Sequence, residues 1–189
     1  MGFKIIHEDL NGLMVIKPDI YKDERGLFME IFREDRFEEL GLPTNFVQDS
    51  HSSSIKNVLR GLHFQWSPPT GKLIRATQGS AYLAAVDIRK KSSTFRKWYG
   101  LEISKENNLQ LWAPAGFASG FCVLSDYAEI QYKCTGIYNP KGESEIIWND
   151  QSLGINWPVK NPILSEKDKN AHTLEQWLGR EESNNFKIS

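Results

Sequence analysis

Turn-forming residues interrupt this chain at short intervals, and no other feature constrains its fold as strongly. Asp23–Gly26, Ser67–Pro69, Gln78–Gly79, Lys105–Asn108 and Pro114–Gly116 are such interruptions. Glycine and asparagine accept backbone conformations that other residues avoid, and proline fixes one torsion, so chain direction changes there. The intervening runs are short and rich in β-branched, aromatic and other apolar residues. They predict strands at Gly12–Lys17, Leu27–Phe32, Asn57–Gln65, Lys72–Gln78, Ala81–Asp87, Trp98–Ile103, Leu109–Ala113, Gly120–Leu124 and Ala128–Cys134. Many short strands of this kind imply an all-β sandwich or barrel with a few short helices. One helix is expected over Glu34–Leu40, with Phe37 and Leu40 on one face and Gly41 and Pro43 as stops. Another is expected over Thr173–Leu178, where Thr173 and Gln176 have capping-box spacing.

At 189 residues the length suits one domain, read here as spanning residues 1–189, with a polar tail expected to fray from about residue 180. A hydrophobic share of 40% against 25% charged residues excludes a disordered chain. A net charge of −1 gives no electrostatic reason to expect nucleic acid or membrane as partner. There is no signal-peptide pattern at the N-terminus and no apolar run of membrane-spanning length, so a cytoplasmic location is expected. Cys122 and Cys134 lack metal-pair spacing and are too few for a disulfide framework; they read as buried free thiols.

The densest chemistry lies in Val58–Gln65, VLRGLHFQ. As a strand it places Val58, Leu62 and Phe64 on one face, and His63 on the other with Leu59 and Gln65. Histidine can act as a base near neutral pH, although a lone inner-face histidine is more often a hydrogen-bonded core residue. Arg60 has the opposite parity, so sharing a site with His63 requires a bulge, for which Gly61 is the natural place. Lys72 opens the next strand; it is either an oxyanion stabiliser or a solvated strand-end charge. Tyr132 either donates a proton or packs with its hydroxyl at a rim. Asp168 stands at capping-box spacing from Ser165, so it either caps a helical turn or pairs with a histidine. His7, His51, His63 and His172 form no His-x-His pair, and no phosphate-binding glycine motif occurs, so neither a metal nor a nucleotide cofactor is expected.

Together these segments resemble the dTDP-4-dehydrorhamnose 3,5-epimerase family from about Ile16 to Asp168. The resemblance runs in order through Asp23–Gly26, Phe46–Asp49, Val58–Gln65, Gly71–Leu73, Val86–Arg89, Gln110–Trp112, Gly116–Ala118, Tyr132–Thr135, Trp148–Asp150 and Ser165–Asp168. It implies a cupin-like jelly-roll barrel, usually homodimeric, that needs no cofactor and acts on a dTDP-linked 4-keto-6-deoxy sugar. His63 matches the base, Asp168 its partner, Tyr132 the proton donor and Lys72 the residue facing the ketone oxygen. Arg25, Glu30, Gln48, Asp49, Ser50, Arg60, Ser119, Tyr138, Glu143 and Lys167 match substrate-binding positions. Residues of the Arg25–Glu30 type can reach a neighbouring subunit's site. The ketone at C4 acidifies the hydrogens on C3 and C5, so a base, an acid on the opposite face and an enolate-stabilising cation suffice for inversion.

The sequence departs from the family's pattern at three places. Ser119 stands where the family commonly has His, Leu83 where it has Asp, and Ser50 where it has Asn. The absent His and Asp are read as a polar pair within the barrel, lost together because either alone would be a buried group without its partner. Side chains 83 and 119 lying far apart would contradict this. The leading expectation is a 3,5-epimerase. The alternatives are a single-site 3- or 5-epimerase on a related sugar, a non-catalytic sugar-nucleotide-binding cupin, and a metal-dependent cupin, which the histidine spacing disfavours.

Overall fold

In the computed structural model, which describes residues 2–186, antiparallel pairing builds two facing sheets. The six-stranded sheet has the order β1 (Phe3–Asp9), β2 (Leu13–Pro18), β10 (Gln110–Ala113), β7 (Lys72–Gln78), β12 (Tyr127–Cys134) and β5 (Gln48–Ile55). The five-stranded sheet has the order β13 (Glu143–Glu145), β6 (Leu59–Gln65), β11 (Phe117–Val123), β8 (Ser80–Asp87) and β9 (Trp98–Ser104). A separate hairpin joins β3 (Tyr21–Asp23) to β4 (Gly26–Phe28). This is the expected cupin-like jelly roll, mainly β with a few short helices.

Alternation sets the inner core. Ile74 and Ala76 of β7, Leu83 and Ala85 of β8, Phe117 and Phe121 of β11, and Ala128 and Ile130 of β12 meet between the sheets. Both outer faces are covered as well. Helix α1 (Glu34–Glu39) lays Phe37 over the six-stranded sheet, where it meets Phe3 and Phe32 edge-on, each at 5.0 Å. Burying such a side chain fully contributes about 1.5–3 kcal/mol. On the other side, α3 (Leu174–Leu178) presses Leu174 and Trp177 onto Leu62, Phe64 and Ala118. The capping box forms as expected: Thr173 Oγ1 accepts from the Gln176 amide at 3.2 Å, and Gln176 Oε1 accepts from the Thr173 amide at 2.8 Å.

Several expectations need correction. The strand expected at Leu27–Phe32 is only the short Gly26–Phe28, because Met29–Phe32 leave the hairpin towards α1. Strands β1, β3, β5 and β13 were not expected, whereas the helical turn that one reading placed after Ser165 forms as α2 (Glu166–Lys169). The tail read as frayed from about residue 180 forms a 3-10 turn at Glu181–Asn184, and Phe186 is buried against Phe64 and Trp177. The rest of that tail, residues 187–189, lies outside the described residues. Among the described residues, no helix is long and apolar enough to cross a membrane. Cys122 and Cys134 are free and buried.

Candidate active site

The site is built around an irregularity in β6. Ser119 of β11 pairs with His63, but two residues further on Phe121 pairs with Arg60, so the β6 strand carries one extra residue. Gly61 sits in that bulge with φ of 125°. A Cβ there would lie 2.5 Å from the Gly120 Cα and 2.8 Å from the Ser119 carbonyl oxygen, an approach that only glycine permits. The bulge resolves the parity conflict: Arg60 and His63 line one cavity, whereas Leu62 and Phe64 pack on the outer face. Leu59, expected beside His63, is buried but does not line the cavity.

Asp168 reaches this strand from α2, which follows Ser165. The Ser165 hydroxyl accepts from the Asp168 amide at 3.1 Å, so Ser165 caps the helical turn and Asp168 stands at the capping spacing, as one reading held. Its carboxylate also does what the other reading held. Oδ1 lies 2.6 Å from His63 Nε2 and accepts from the Gly61 amide at 3.3 Å, and Oδ2 accepts from the Ser165 hydroxyl at 2.7 Å. Burial pushes the Asp168 carboxyl up, but the bonds from His63, Ser165 and Gly61 outweigh it and hold the group below the usual carboxylate range. A carboxylate on one ring nitrogen leaves Nδ1 as the nitrogen available to a substrate.

Two adjoining cavities share His63, Lys72 and Tyr132. The inner one, about 170 Å³, adds Ser52, Arg60, Ile74, Leu83, Ser119 and Phe121. The outer one, about 110 Å³, adds Gln48, Gln65, Cys134, Tyr138 and Glu143. The Lys72 ammonium donates to the His63 carbonyl at 3.3 Å and lies 5.8 Å from the Tyr132 ring centre. Burial lowers its pKa, with Cys134 and Glu143 opposing. Burial raises the Tyr132 phenol, against the pull of the Ser50 hydroxyl, so it keeps its proton at neutral pH. Near the mouth, Glu143 accepts from the Tyr138 hydroxyl at 2.6 Å and from Lys167 at 2.7 Å. Burial raises the Glu143 carboxyl, but those two bonds outweigh it and bring it down.

The placement sorts the expected substrate-binding residues. Gln48, Arg60, Ser119, Tyr138 and Glu143 line the cavities. Ser50 faces Tyr132 across β5 and β12, and Lys167 is tied to the cavity-lining Glu143. Asp49 does not belong with them: it alternates to the outer face and binds Lys133 at 3.0 Å. Arg25, at the tip of the β3–β4 hairpin, pairs with Asp23, and Glu30 lies by Arg33; neither lines the chain's own cavities. Sequence reasoning missed Ser52, which lines the inner cavity, and Ser54, which accepts from Arg60 Nε at 3.1 Å. Their signal was the even spacing of serines in Gln48–Ile55, a polar alternation. Leu83 and Ser119 are close, as the lost-pair reading requires. Leu83 pairs with Phe121 and Ser119 with Ala85, one same-face step apart on adjacent strands, and both line the inner cavity.

His63 and Ser119 stand on the five-stranded sheet, and Lys72 and Tyr132 on the six-stranded sheet that faces it. Fold and site together define the class: a cupin-like barrel whose cavity is walled on opposite sides by acid–base groups. Within that class, the chain belongs to the dTDP-4-dehydrorhamnose 3,5-epimerase family, whose profile matches residues 7–176. It is 51% identical over 168 residues to the dTDP-4-dehydrorhamnose 3,5-epimerase of Shigella flexneri, covering 88% of this chain and 93% of that one. The crystal structure of the Legionella pneumophila dTDP-6-deoxy-D-glucose-3,5-epimerase, in complex with dTDP-4-keto-L-rhamnose, superposes with a TM-score of 0.88 at 46% identity, covering 92% and 93% of the two chains. The dTDP-4-dehydrorhamnose 3-epimerase of Streptomyces niveus is 32% identical over 169 residues, 88% of this chain and 82% of that one.

Proposed function

We propose that the chain inverts C3 and C5 of dTDP-4-keto-6-deoxyglucose, giving dTDP-4-dehydrorhamnose. The observation that carries this reading is the placement of base and acid on opposite sheets. A sugar ring lying between them presents one face to His63 and the other to Tyr132. His63, through Nδ1, takes the proton from the carbon beside the ketone, and Asp168 stabilises the imidazolium formed. Lys72 faces the ketone oxygen, where the enolate charge develops; such preorganised donors are often the largest single contribution to catalysis. Tyr132 returns a proton from the other side, which inverts the carbon. C3 and C5 flank the same ketone, so one enolate site serves both. Arg60 and Lys167 supply positive charge for the diphosphate.

The chain also acts, in this reading, as a homodimer. Tyr21, Leu27 and Phe28 of the β3–β4 hairpin are exposed apolar residues, and Arg25 and Glu30 beside them are absent from the chain's own cavities. A hairpin laid on a second copy covers those side chains and delivers Arg25 and Glu30 to its partner's site. Light scattering at twice the monomer mass supports this; a monomer that retains full activity refutes it.

The test of the reaction is proton NMR of dTDP-4-keto-6-deoxyglucose with the enzyme in heavy water. Exchange and inversion at both C3 and C5 are expected. Exchange at one carbon alone would favour a single-site epimerase, the reading that Leu83 and Ser119 raise. Binding without exchange would make the chain a non-catalytic sugar-nucleotide binder.

A further inference from the structure

Residues 135–142 leave β12 on the six-stranded sheet and enter β13 on the five-stranded one, so they pass beside the outer cavity as a strap between the sheets. The middle of the strap has no regular structure. Among the described residues, Ile137 and Tyr138 make no backbone–backbone hydrogen bond, and both are more than half exposed. Two glutamine side chains hold them instead. Gln48 of β5 accepts from the Tyr138 amide at 2.7 Å. Gln65 of β6 grips the residues on either side: Nε2 donates to the Ile137 carbonyl at 3.0 Å, and Oε1 accepts from the Asn139 amide at 2.8 Å. Nε2 also donates to the Thr70 hydroxyl at 2.9 Å, whose own proton goes to the Pro68 carbonyl. Gln65 is 5% exposed, and both Nε2 hydrogens are engaged by protein, so it lines the outer cavity without a free donor to offer a ligand.

We propose that Gln65 is a positioning residue for ligand binding: it fixes the strap, and through the strap it sets Tyr138 against the nucleoside diphosphate. This rests on the epimerase reading for the identity of the ligand, but not for the clamp. A sugar held between His63, Lys72 and Tyr132 leaves the rest of the ligand to run outward past Tyr138, whose hydroxyl is tied to Glu143 at 2.6 Å. Without Gln65, the Ile137 carbonyl and the Asn139 amide turn to water, and residues 137–139 gain backbone freedom that a ligand must remove on binding. The cost falls on affinity rather than on the chemical step, because strand pairing holds His63, Lys72 and Tyr132.

The test is a double-mutant cycle. Affinity for dTDP is measured by calorimetry on wild type, Gln65→Met, Tyr138→Ala and the double variant. Methionine has a similar length and no hydrogen to donate. Gln65→Met is expected to weaken dTDP about 3- to 10-fold, the ordinary worth of one such bond. It should raise KM for solvent exchange by the same factor and leave kcat within about twofold. In the Tyr138→Ala background the same change should have little effect, since there is no ring left to place. Amide hydrogen exchange without ligand checks the clamp itself: Asn139 should lose protection in Gln65→Met while β6 and β12 keep theirs. Should Gln65→Met not fold, Gln65→Asn, one methylene short of the strap, carries the same expectations. Unchanged dTDP affinity, an unchanged Asn139 amide, or no dTDP binding by wild type would overturn the proposal. So would an equal loss in both backgrounds, or a fall in kcat as large as that in kcat/KM, since either would mean that Gln65 only stabilises the barrel. The expected coupling in a protein that exchanges no C–H hydrogen would leave the clamp standing and remove the epimerase reading.

Discussion

Replacing Asp168 by asparagine separates the shape of the dyad from its charge. The amide keeps an oxygen able to accept from His63 Nε2, which lies 2.6 Å away, and fits the same pocket under Ser165 and Gly61. What is lost is the negative charge beside an imidazole that must become positive. A hydrogen bond to a charged group is worth about 1.5–3 kcal/mol, which at about 1.4 kcal/mol per decade is one to two orders of magnitude in rate. Should the amide turn its NH₂ towards the ring, the wrong tautomer is fixed, a fault that costs about 10⁴-fold in serine-protease triads. The expected result is a kcat for C–H exchange at least about 10-fold lower, with dTDP affinity little changed, measured by deuterium incorporation and calorimetry. A kcat within about threefold of wild type would refute the argument that Asp168 works through charge. Stability gives an independent check. The folded Asp168 carboxyl is depressed, so its contribution is present above the unfolded value near pH 3.9 and is lost as pH falls through the folded value. Below about pH 4 the wild-type melting temperature should therefore fall more steeply than that of Asp168→Asn.

Tyr132→Phe should slow inversion by about 10²-fold or more while leaving proton removal nearly intact, so exchange outruns product formation in NMR; equal slowing of both would argue against a dedicated donor. Lys72→Met should lower kcat about 10²–10³-fold. Because burial lowers the Lys72 ammonium, the alkaline limb of the wild-type profile should begin below the range of a free lysine near 10.4 and be absent from this variant. Gly61→Ala places a Cβ 2.5 Å from the Gly120 Cα at a positive φ, and about 2–4 kcal/mol of stability should be lost in urea unfolding; a change under about 0.5 kcal/mol would mean that the bulge tolerates a side chain. Leu83→Asp alone buries a charge without a partner and should cost about 3 kcal/mol or more, whereas adding Ser119→His should recover much of that; strictly additive melting shifts would show that the two positions are independent.

The strands that were legible are those with one apolar face on the inner core. Lys72–Gln78 is an example, because Ile74 and Ala76 alternate inward. Strand β5 was not legible because it has no apolar face over most of its length. Asp49, His51 and Ser53 face outward from this edge strand, and Ser50, Ser52 and Ser54 face a polar cavity, so the alternation is of polar with polar. Strand β11 was expected only from Gly120, because Phe117–Ser119 stands between Gly116 and Gly120 and lacks a β-rich pattern, whereas its small residues permit the close approach to β6. The bulge at Gly61 followed from residue parity once Arg60 and His63 were taken to share a site. The partnership of His63 with Asp168 did not: local spacing could only mark Asp168 as a cap, and its second role depends on tertiary placement, which the family resemblance supplied. Asp49 was carried over with its neighbours, but consecutive strand residues point to opposite faces, and only Gln48 and Ser50 turn inward.

The dyad joins residues 105 positions apart in the chain. Closing so long a loop costs entropy that local pairing cannot offset early, so contacts of this kind form late in folding. The hairpins of the two sheets can pair and bury the inner core before α2 arrives, yet His63 then has no carboxylate beside it. On this argument, onset of C–H exchange during refolding is a clock for the docking of the segment that carries α2 rather than for the pairing of the barrel strands.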